Sequence, residues 1–221
     1  MSAVVPAVRF GAGGTDPWAA ALRGASAALE LVPSEPGGAA EPLDLHRWTA
    51  TADAADRTTL DGLAGPLLDI GCGPGRMIRA ALDAGLQATG LDAEPAAAAS
   101  CRAQGLPVLR RSVFDPLPRE GAWGSLLLLD GNVGIGGDVP AMLARCGALL
   151  RPGGRLVVEA HPDPTRDAAA LWRLRGEGGG ESDPFPWSQV GLPALLRAAH
   201  DLALERVWER DGRWFVRLRS L

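Results

Sequence analysis

The sequence predicts an α/β fold built on a parallel sheet, and three observations carry that prediction. From Pro66 onward, short apolar runs alternate with helical stretches, an order that implies parallel strands joined by right-handed crossovers. The apolar runs lack the polar alternation of a half-solvated strand, most plainly at Leu126–Leu129, so they suit strands covered on both faces. Residues 202–220 read as two β-rich runs around Asp211-Gly212, a strong hairpin signal that sets the final strand antiparallel to the rest.

Residues 1–65 read as an N-terminal helical cap or lid segment, ahead of a core over 66–221. The stretch "DPWAAALRGASAALELV" places Asp16 and Pro17 as N-cap and first residue of a helix. A second short helix is expected at about 52–63, ended by Gly65. "PLLDI" is then a buried strand, and "GRMIRAALDAG" a helix stopped by Gly85. "LQATGLD" is the next strand, and "EPAAAASCRAQG" a helix with Pro95 in its first turn. "LPVLRRSV" is the third strand and "WGSLLLLD" the fourth, followed by the helix "DVPAMLARCGALLRPGG" and the fifth strand "RLVVEA". Residues 161–188 break the rhythm and are too long for an ordinary connection. This insertion is expected to hold a short helix, Thr165–Arg175, and a flexible glycine run. "SQVGLPALLRAAHD" then returns to a helix.

At 221 residues the chain is long enough for a full core. It has no apolar stretch near the roughly 20 residues that span a bilayer, and its N-terminus lacks the pattern of a signal peptide. A net charge of −4 argues against a broad nucleic-acid surface. Arg110-Arg111 and Arg173–Arg175 read as solvated charge. Cys72, Cys101 and Cys146 have no metal-ligand spacing and read as reduced thiols of a cytoplasmic protein. The absence of lysine and tyrosine reads as the mutational bias of a GC-rich, bacterial genome.

"LLDIGCGPGR", residues 67–76, carries the chemistry. Its glycines permit positive φ and close approach of a ligand at the carboxyl end of a strand. A dinucleotide fingerprint needs a glycine where Arg76 stands. Asp69 suits an ammonium group better than a pyrophosphate.

These residues resemble motif I of the class I S-adenosylmethionine-dependent methyltransferases, in the form D-x-G-C-G-x-G. The whole pattern is similar to small bacterial, actinobacterial-type members. The resemblance implies a three-layer, Rossmann-like, seven-stranded sheet whose antiparallel terminal hairpin strand matches "VWERDGRWFVRLRS". It implies S-adenosyl-L-methionine as cofactor, with S-adenosyl-L-homocysteine as product. Asp69, Gly71, Cys72 and Gly73 fall along the methionine portion, and Asp92, with Ala93 beside it, at the ribose. Ser112 stands where an acid usually meets the adenine, with Val113 and Phe114 as flanking residues. Asp130 and Gly131 fall near the methionine moiety and the methyl group. "LDGNVGIGGD" lacks the N/D-P-P-Y/F signature of amino-group methylases that act on bases.

The expected reaction is methyl transfer to a small-molecule acceptor, with a secondary metabolite as the expected class. Methylation of protein or RNA, and a non-catalytic nucleotide-binding or scaffold protein of the same fold, stay open as alternatives. His161, just after the fifth strand, is the candidate base, because an imidazole transfers protons near neutral pH. Asp130 is the second candidate catalytic residue. His46, Trp48, Asn132, Phe185 and Trp187 are expected to shape the acceptor pocket, since large flat side chains suit an apolar or aromatic molecule. No metal, nucleic acid or membrane partner is expected, and the oligomeric state is not readable.

Overall fold

In a computed structural model, residues 10–24, 28–35 and 37–221 are described. The elements are α1 (Pro17–Leu22), β1 (Leu29–Pro33), β2 (Glu41–Leu43), α2 (Leu45–Thr49), α3 (Ala54–Thr58) and β3 (Leu67–Ile70). They continue with α4 (Arg76–Asp83), β4 (Ala88–Leu91), α5 (Pro95–Ala103), β5 (Val108–Leu109) and β6 (Trp123–Leu128). A 3₁₀ turn (Asn132–Gly134) precedes α6 (Val139–Leu149), β7 (Leu150–Ala160), β8 (Asp167–Gly176) and β9 (Phe185–Val190). The chain ends with α7 (Leu192–Ala198), β10 (Leu202–Arg210) and β11 (Arg213–Ser220).

Seven strands form the main sheet in the order β10-β11-β7-β6-β3-β4-β5. β3 pairs in parallel with β4 and β6, and β6 with β7, while β11 runs antiparallel to β7. The sheet is therefore Rossmann-like with a reversed terminal hairpin, as the residue pattern implies. Strand residues alternate between two apolar layers. Leu68, Ile70, Leu126, Leu128, Leu156 and Val158 face α6 and α7. Leu67, Leu127, Leu129, Val157 and Phe215 face α3, α4 and α5. Burial on both faces is why these strands read as continuous apolar runs.

The chain leaves β3 toward β4 and β5 on one side, then returns to place β6 and β7 on the other. That reversal opens a crevice between β3 and β6 at their carboxyl ends. The glycine turn 71–75 sits at this point.

Several local expectations are corrected. The helix expected at Thr165–Arg175 is instead strand β8. β8 pairs with β9 and with β1, and β1 with β2, so the N-terminal segment and the insertion share a four-stranded antiparallel sheet. "AALWRL" has enough helix formers to suggest a helix, but Trp172 and Leu174 bury on one face of this sheet while Arg173 and Arg175 turn outward to Glu181 and Glu30. Cross-strand packing overrides local propensity. For the same reason the helix begun at Pro17 stops at Leu22, and Leu29–Val32 are strand. The N-terminal segment is thus not purely helical. Asp16 precedes α1 in the left-handed region and makes no side-chain cap. The helix expected over 52–63 is the shorter α3, opened by an Asp53/Asp56 capping box. The third strand shrinks to Val108–Leu109, and Ser188–Val190, expected as helix, end β9.

Gly134 and Gly137, in the loop after β6, serve packing. A Cβ on Gly134 would overlap the Ser188 carbonyl oxygen, and one on Gly137 would lie 2.9 Å from Pro186 Cβ. Ile135 bridges to Trp187. The loop after β6 is bare so that β9 can lie against it. Gly134→Ala is expected to destabilise the protein by about 2 kcal/mol through overpacking against backbone that cannot yield. A urea melt with the wild-type midpoint would contradict this contact.

Candidate functional site

A cavity of about 390 Å³ opens at the carboxyl ends of β3, β4, β6 and β7. Its floor is the turn after β3. Gly71, Gly73 and Gly75 all have positive φ, the region that only glycine enters freely. The Gly71 N–H donates to the Leu91 carbonyl at 2.8 Å, and the Gly73 N–H donates to Asp92 Oδ2 at 2.9 Å. Asp92 Oδ1 also accepts from the Glu94 N–H at 2.8 Å. Asp92 therefore holds the turn and opens the next helix at once. Burial pushes its carboxyl up to about 6, against the pull of the Glu94 and Gly73 amides.

Asp69 is the least compensated charge in the site. It is 3% exposed, lines the cavity, and no side-chain donor bonds it among the described residues. Burial first, then the Asp130 and Asp92 carboxylates, push its pKa up to about 8. A buried acid with acidic neighbours and no cation is arranged for a cationic ligand group.

Asn132 completes this corner. Its Nδ2 donates to the Ile70 and Gly71 carbonyls at 2.9 and 3.0 Å. A Cβ on Gly71 would lie 2.7 Å from Asn132 Cγ, so that position has no room for a side chain.

Opposite Asp69 stands an ion network that no single motif announces. Arg76 opens α4 and bonds both Asp56 and Asp130. Arg213, from β11, meets Asp56 and Glu159 at 2.8 Å each. Arg47, from α2, reaches Asp130 at 2.7 Å. Burial opposes ionisation of Glu159, but the Arg213 guanidinium holds it below the ordinary carboxylate range. Burial and Glu159 together raise Asp130 in spite of its arginine partners. Arg47, Arg213 and Glu159 escape sequence reasoning. The one signal was Glu159 itself, an acid inside the apolar run "LVVEA", which needs a buried cation.

The remaining wall is aromatic. Phe10, Trp18, Trp48 and Trp187 line the cavity. The edge of Trp18 lies over Gly73 and that of Trp187 over Gly131, 3.9 and 3.7 Å from where a Cβ would stand. Trp18 meets Trp48 edge to face at 5.6 Å, and Phe10 packs on Trp187 at 4.9 Å.

Of the residues expected from sequence, the fold brings Asp69, Gly71, Cys72, Gly73, Asp92, Ala93, Ser112, Val113, Asp130 and Gly131 to this cavity. Trp48, Asn132, His161 and Trp187 also line it. Three others do not. Phe114 is 45% exposed and packs against Gly136. His46 is exposed on α2, because the Asp44 cap turns Arg47 and Trp48 inward instead. Phe185 is buried behind Trp187 as a packing residue. The three cysteines are free and buried.

A family model described as a methyltransferase domain matches residues 68–158. That stretch is similar to a methyltransferase domain. That domain spans the glycine turn, Asp92, Asp130 and the end of β7, and the class I methyltransferase fold is the one seen here. An S-adenosylmethionine-dependent methyltransferase from Bacteroides fragilis, solved with S-adenosyl-L-homocysteine, superposes with a TM-score of 0.75 at 19% identity, over 93% of this chain and 95% of that one. The 1,6-didemethyltoxoflavin-N1-methyltransferase of Burkholderia thailandensis gives 0.55 at 21% identity, over 76% and 77%. The amino pentose methyltransferase CalS10 of Micromonospora echinaspora gives 0.53 at 20%, over 76% and 87%. No curated protein matches the sequence. Among the described residues, no helix is long and apolar enough to cross a membrane.

The Asp69 environment makes a pH prediction. A raised folded-state pKa stabilises the ligand-free protein below the unfolded value of 3.8, and that contribution is lost as pH rises through about 8. Relative to Asp69→Asn, the wild type is therefore expected to lose stability steadily between about pH 4 and 8. Parallel thermal melts across that range check the sign.

Proposed function

We propose that the protein transfers a methyl group from S-adenosyl-L-methionine to a small-molecule acceptor. The observation that carries this is the pairing of Asp69, a buried acid awaiting a cation, with Asp92, a strand-end acid across the same glycine turn. The cavity fits such a cofactor. Asp69 suits its ammonium, the lone pairs left on Asp92 suit its ribose hydroxyls, and the bare turn lets its tail lie against backbone. Val113 supplies an apolar wall for the adenine, beside Ser112 in place of an acid. When bound, the cofactor supplies a methyl group made electrophilic by its sulfonium.

The chain's own part is to align the acceptor and exclude water, which contributes on the order of 7–11 kcal/mol in favourable cases. Trp18, Trp48 and Trp187 enclose a space suited to an apolar or aromatic acceptor. The Burkholderia and Micromonospora enzymes act on a toxoflavin precursor and an amino pentose, which supports that class. The acidic net charge of −4 opposes an RNA substrate.

His161 stands at the end of β7 as the residue to meet the acceptor. Its Nδ1 accepts the Asp163 N–H at 3.1 Å, so in the neutral ring the proton sits on Nε2. In this arrangement His161 donates to the acceptor, and it becomes a base only when Nδ1 releases that amide. Asp130, with Arg47 and Arg76 on its carboxylate, orders the site electrostatically and takes no proton in this reading.

Asp92→Ala is expected to weaken S-adenosylhomocysteine binding about tenfold or more, measured by titration calorimetry. Unchanged affinity would remove the ribose assignment. Wild-type protein that binds neither this compound nor S-adenosylmethionine would overturn the function. Incubating metabolite extracts with methyl-labelled cofactor then identifies the acceptor.

A further inference from the structure

We propose that Cys72 and Cys101 are an oxidative modification site, where a hydroperoxide closes a reversible disulfide beneath the glycine turn and lowers the turn's affinity for the cofactor. The disulfide stands on its own geometry, and its effect on binding rests on the function proposed above. Cys72 lies in the turn itself and Cys101 on α5. Their sulfurs meet at one atom, the Gly73 carbonyl oxygen, at 3.7 Å from Cys72 Sγ and 3.3 Å from Cys101 Sγ. The two side chains also interact directly, which raises the Cys72 thiol and lowers the Cys101 thiol. Two glycines leave room for this pair. A Cβ on Gly90 of β4 would lie 2.6 Å from Cys72 Sγ, and one on Gly75 would lie 3.1 Å from Cys101 Sγ. The third thiol, Cys146, packs in the apolar layer on the other face of the sheet, away from both.

The two thiols differ in access, and that sets the order of events. Cys72 lines the cavity, while Cys101 is fully buried behind it. Hydrogen peroxide entering the cavity therefore meets Cys72 first. The Cys72 sulfur takes one peroxide oxygen as the O–O bond breaks, giving a sulfenic acid and one water. The Cys101 sulfur then attacks the Cys72 sulfur, and the S–O bond breaks. The hydroxyl leaves with the Cys101 proton as a second water. Two thiols are oxidised, one peroxide is reduced, and one S–S bond forms. The lowered Cys101 thiol favours this second step, because the thiolate is the nucleophile. A disulfide draws its sulfurs to about 2.05 Å. Gly75 leaves Cys101 little space, so Cys72 gives way and takes the turn with it. Gly73 is the next residue. Its carbonyl loses the Cys101 donor, and its N–H is pulled from the 2.9 Å bond to Asp92 Oδ2. Those are the groups against which the cofactor lies in the reading above.

Hydrogen peroxide added to the reduced full chain tests both halves. The expected product is a disulfide joining the tryptic peptides 58–76 and 80–102, found by mass spectrometry, with Cys146 left as a free thiol. Freed of peroxide, the oxidised protein is expected to bind S-adenosylhomocysteine about tenfold or more weakly by calorimetry, the loss of one well-placed hydrogen bond. Dithiothreitol is expected to restore the reduced affinity. Coupling between two sites is reciprocal, so saturating S-adenosylhomocysteine is expected to suppress the cross-link. Cys101→Ser is expected to bind S-adenosylhomocysteine as the wild type does, and to give a dimedone-reactive sulfenic acid at Cys72 in place of the disulfide. Thiols that stay reduced under peroxide, or a cross-link through Cys146, would overturn the site. A Cys72–Cys101 disulfide that leaves the affinity unchanged would overturn the effect on binding. Reduced wild-type protein that fails to bind S-adenosylhomocysteine would sink the methyl-transfer reading, while the peptide map still decides the disulfide.

Discussion

Arg47, Arg76 and Arg213 converge on Asp56, Asp130 and Glu159 at the carboxyl edge of the main sheet. They arrive from α2, α3, α4, β11 and the ends of β6 and β7. Asp56 is fully buried and Arg76 8% exposed, so these charges have little access to water. Removing one partner of such a network typically costs about 3–5 kcal/mol, because the charge left behind has no compensation. The same charges replaced together by apolar groups need cost nothing. The network is thus better understood as fixing positions than as adding stability. It brings the N-terminal helices against the strand ends and so sets the width of the cavity mouth.

Four of the network's members, Arg47, Arg76, Asp130 and Glu159, also line the cavity. Fold specification and ligand recognition therefore share the same side chains. Asp69 stands apart from this exchange. It lies near enough to Asp130 to feel its charge, yet no arginine reaches it among the described residues. The strand end with the least compensated acid is the one beside the glycine turn.

The second sheet explains how a segment before the methyltransferase domain and an insertion after it build one wall. β1 lies between β2 and β8, with Leu31 opposite Leu174. Their buried faces gather Trp18, Trp172, Phe185 and Trp187 into one apolar cluster. Glu41 of β2, Arg166 and Gln189 of β9 close a polar contact at its edge, the Gln189 amide donating to Glu41 at 2.6 Å. Either segment alone has an open sheet edge and an unburied aromatic face.

The amino-acid sequence by itself determined the main sheet, its reversed hairpin and the glycine turn with Asp69 and Asp92. Strands buried on both faces, helices capped by proline and glycine, and a turn that needs positive φ are set by neighbours in the chain, so their signals are local. Tertiary structure alone decided that Thr165–Arg175 is a strand, that His46 faces solvent while Arg47 and Trp48 face the cavity, and that Phe185 lies behind Trp187. Those outcomes depend on pairings between segments far apart in the chain, such as β1 with β8 and Arg47 with Asp130. A strand's partner and a charge's counter-charge leave no periodicity in the segment that meets them. The free energy that selects them is present only once the distant segment has arrived.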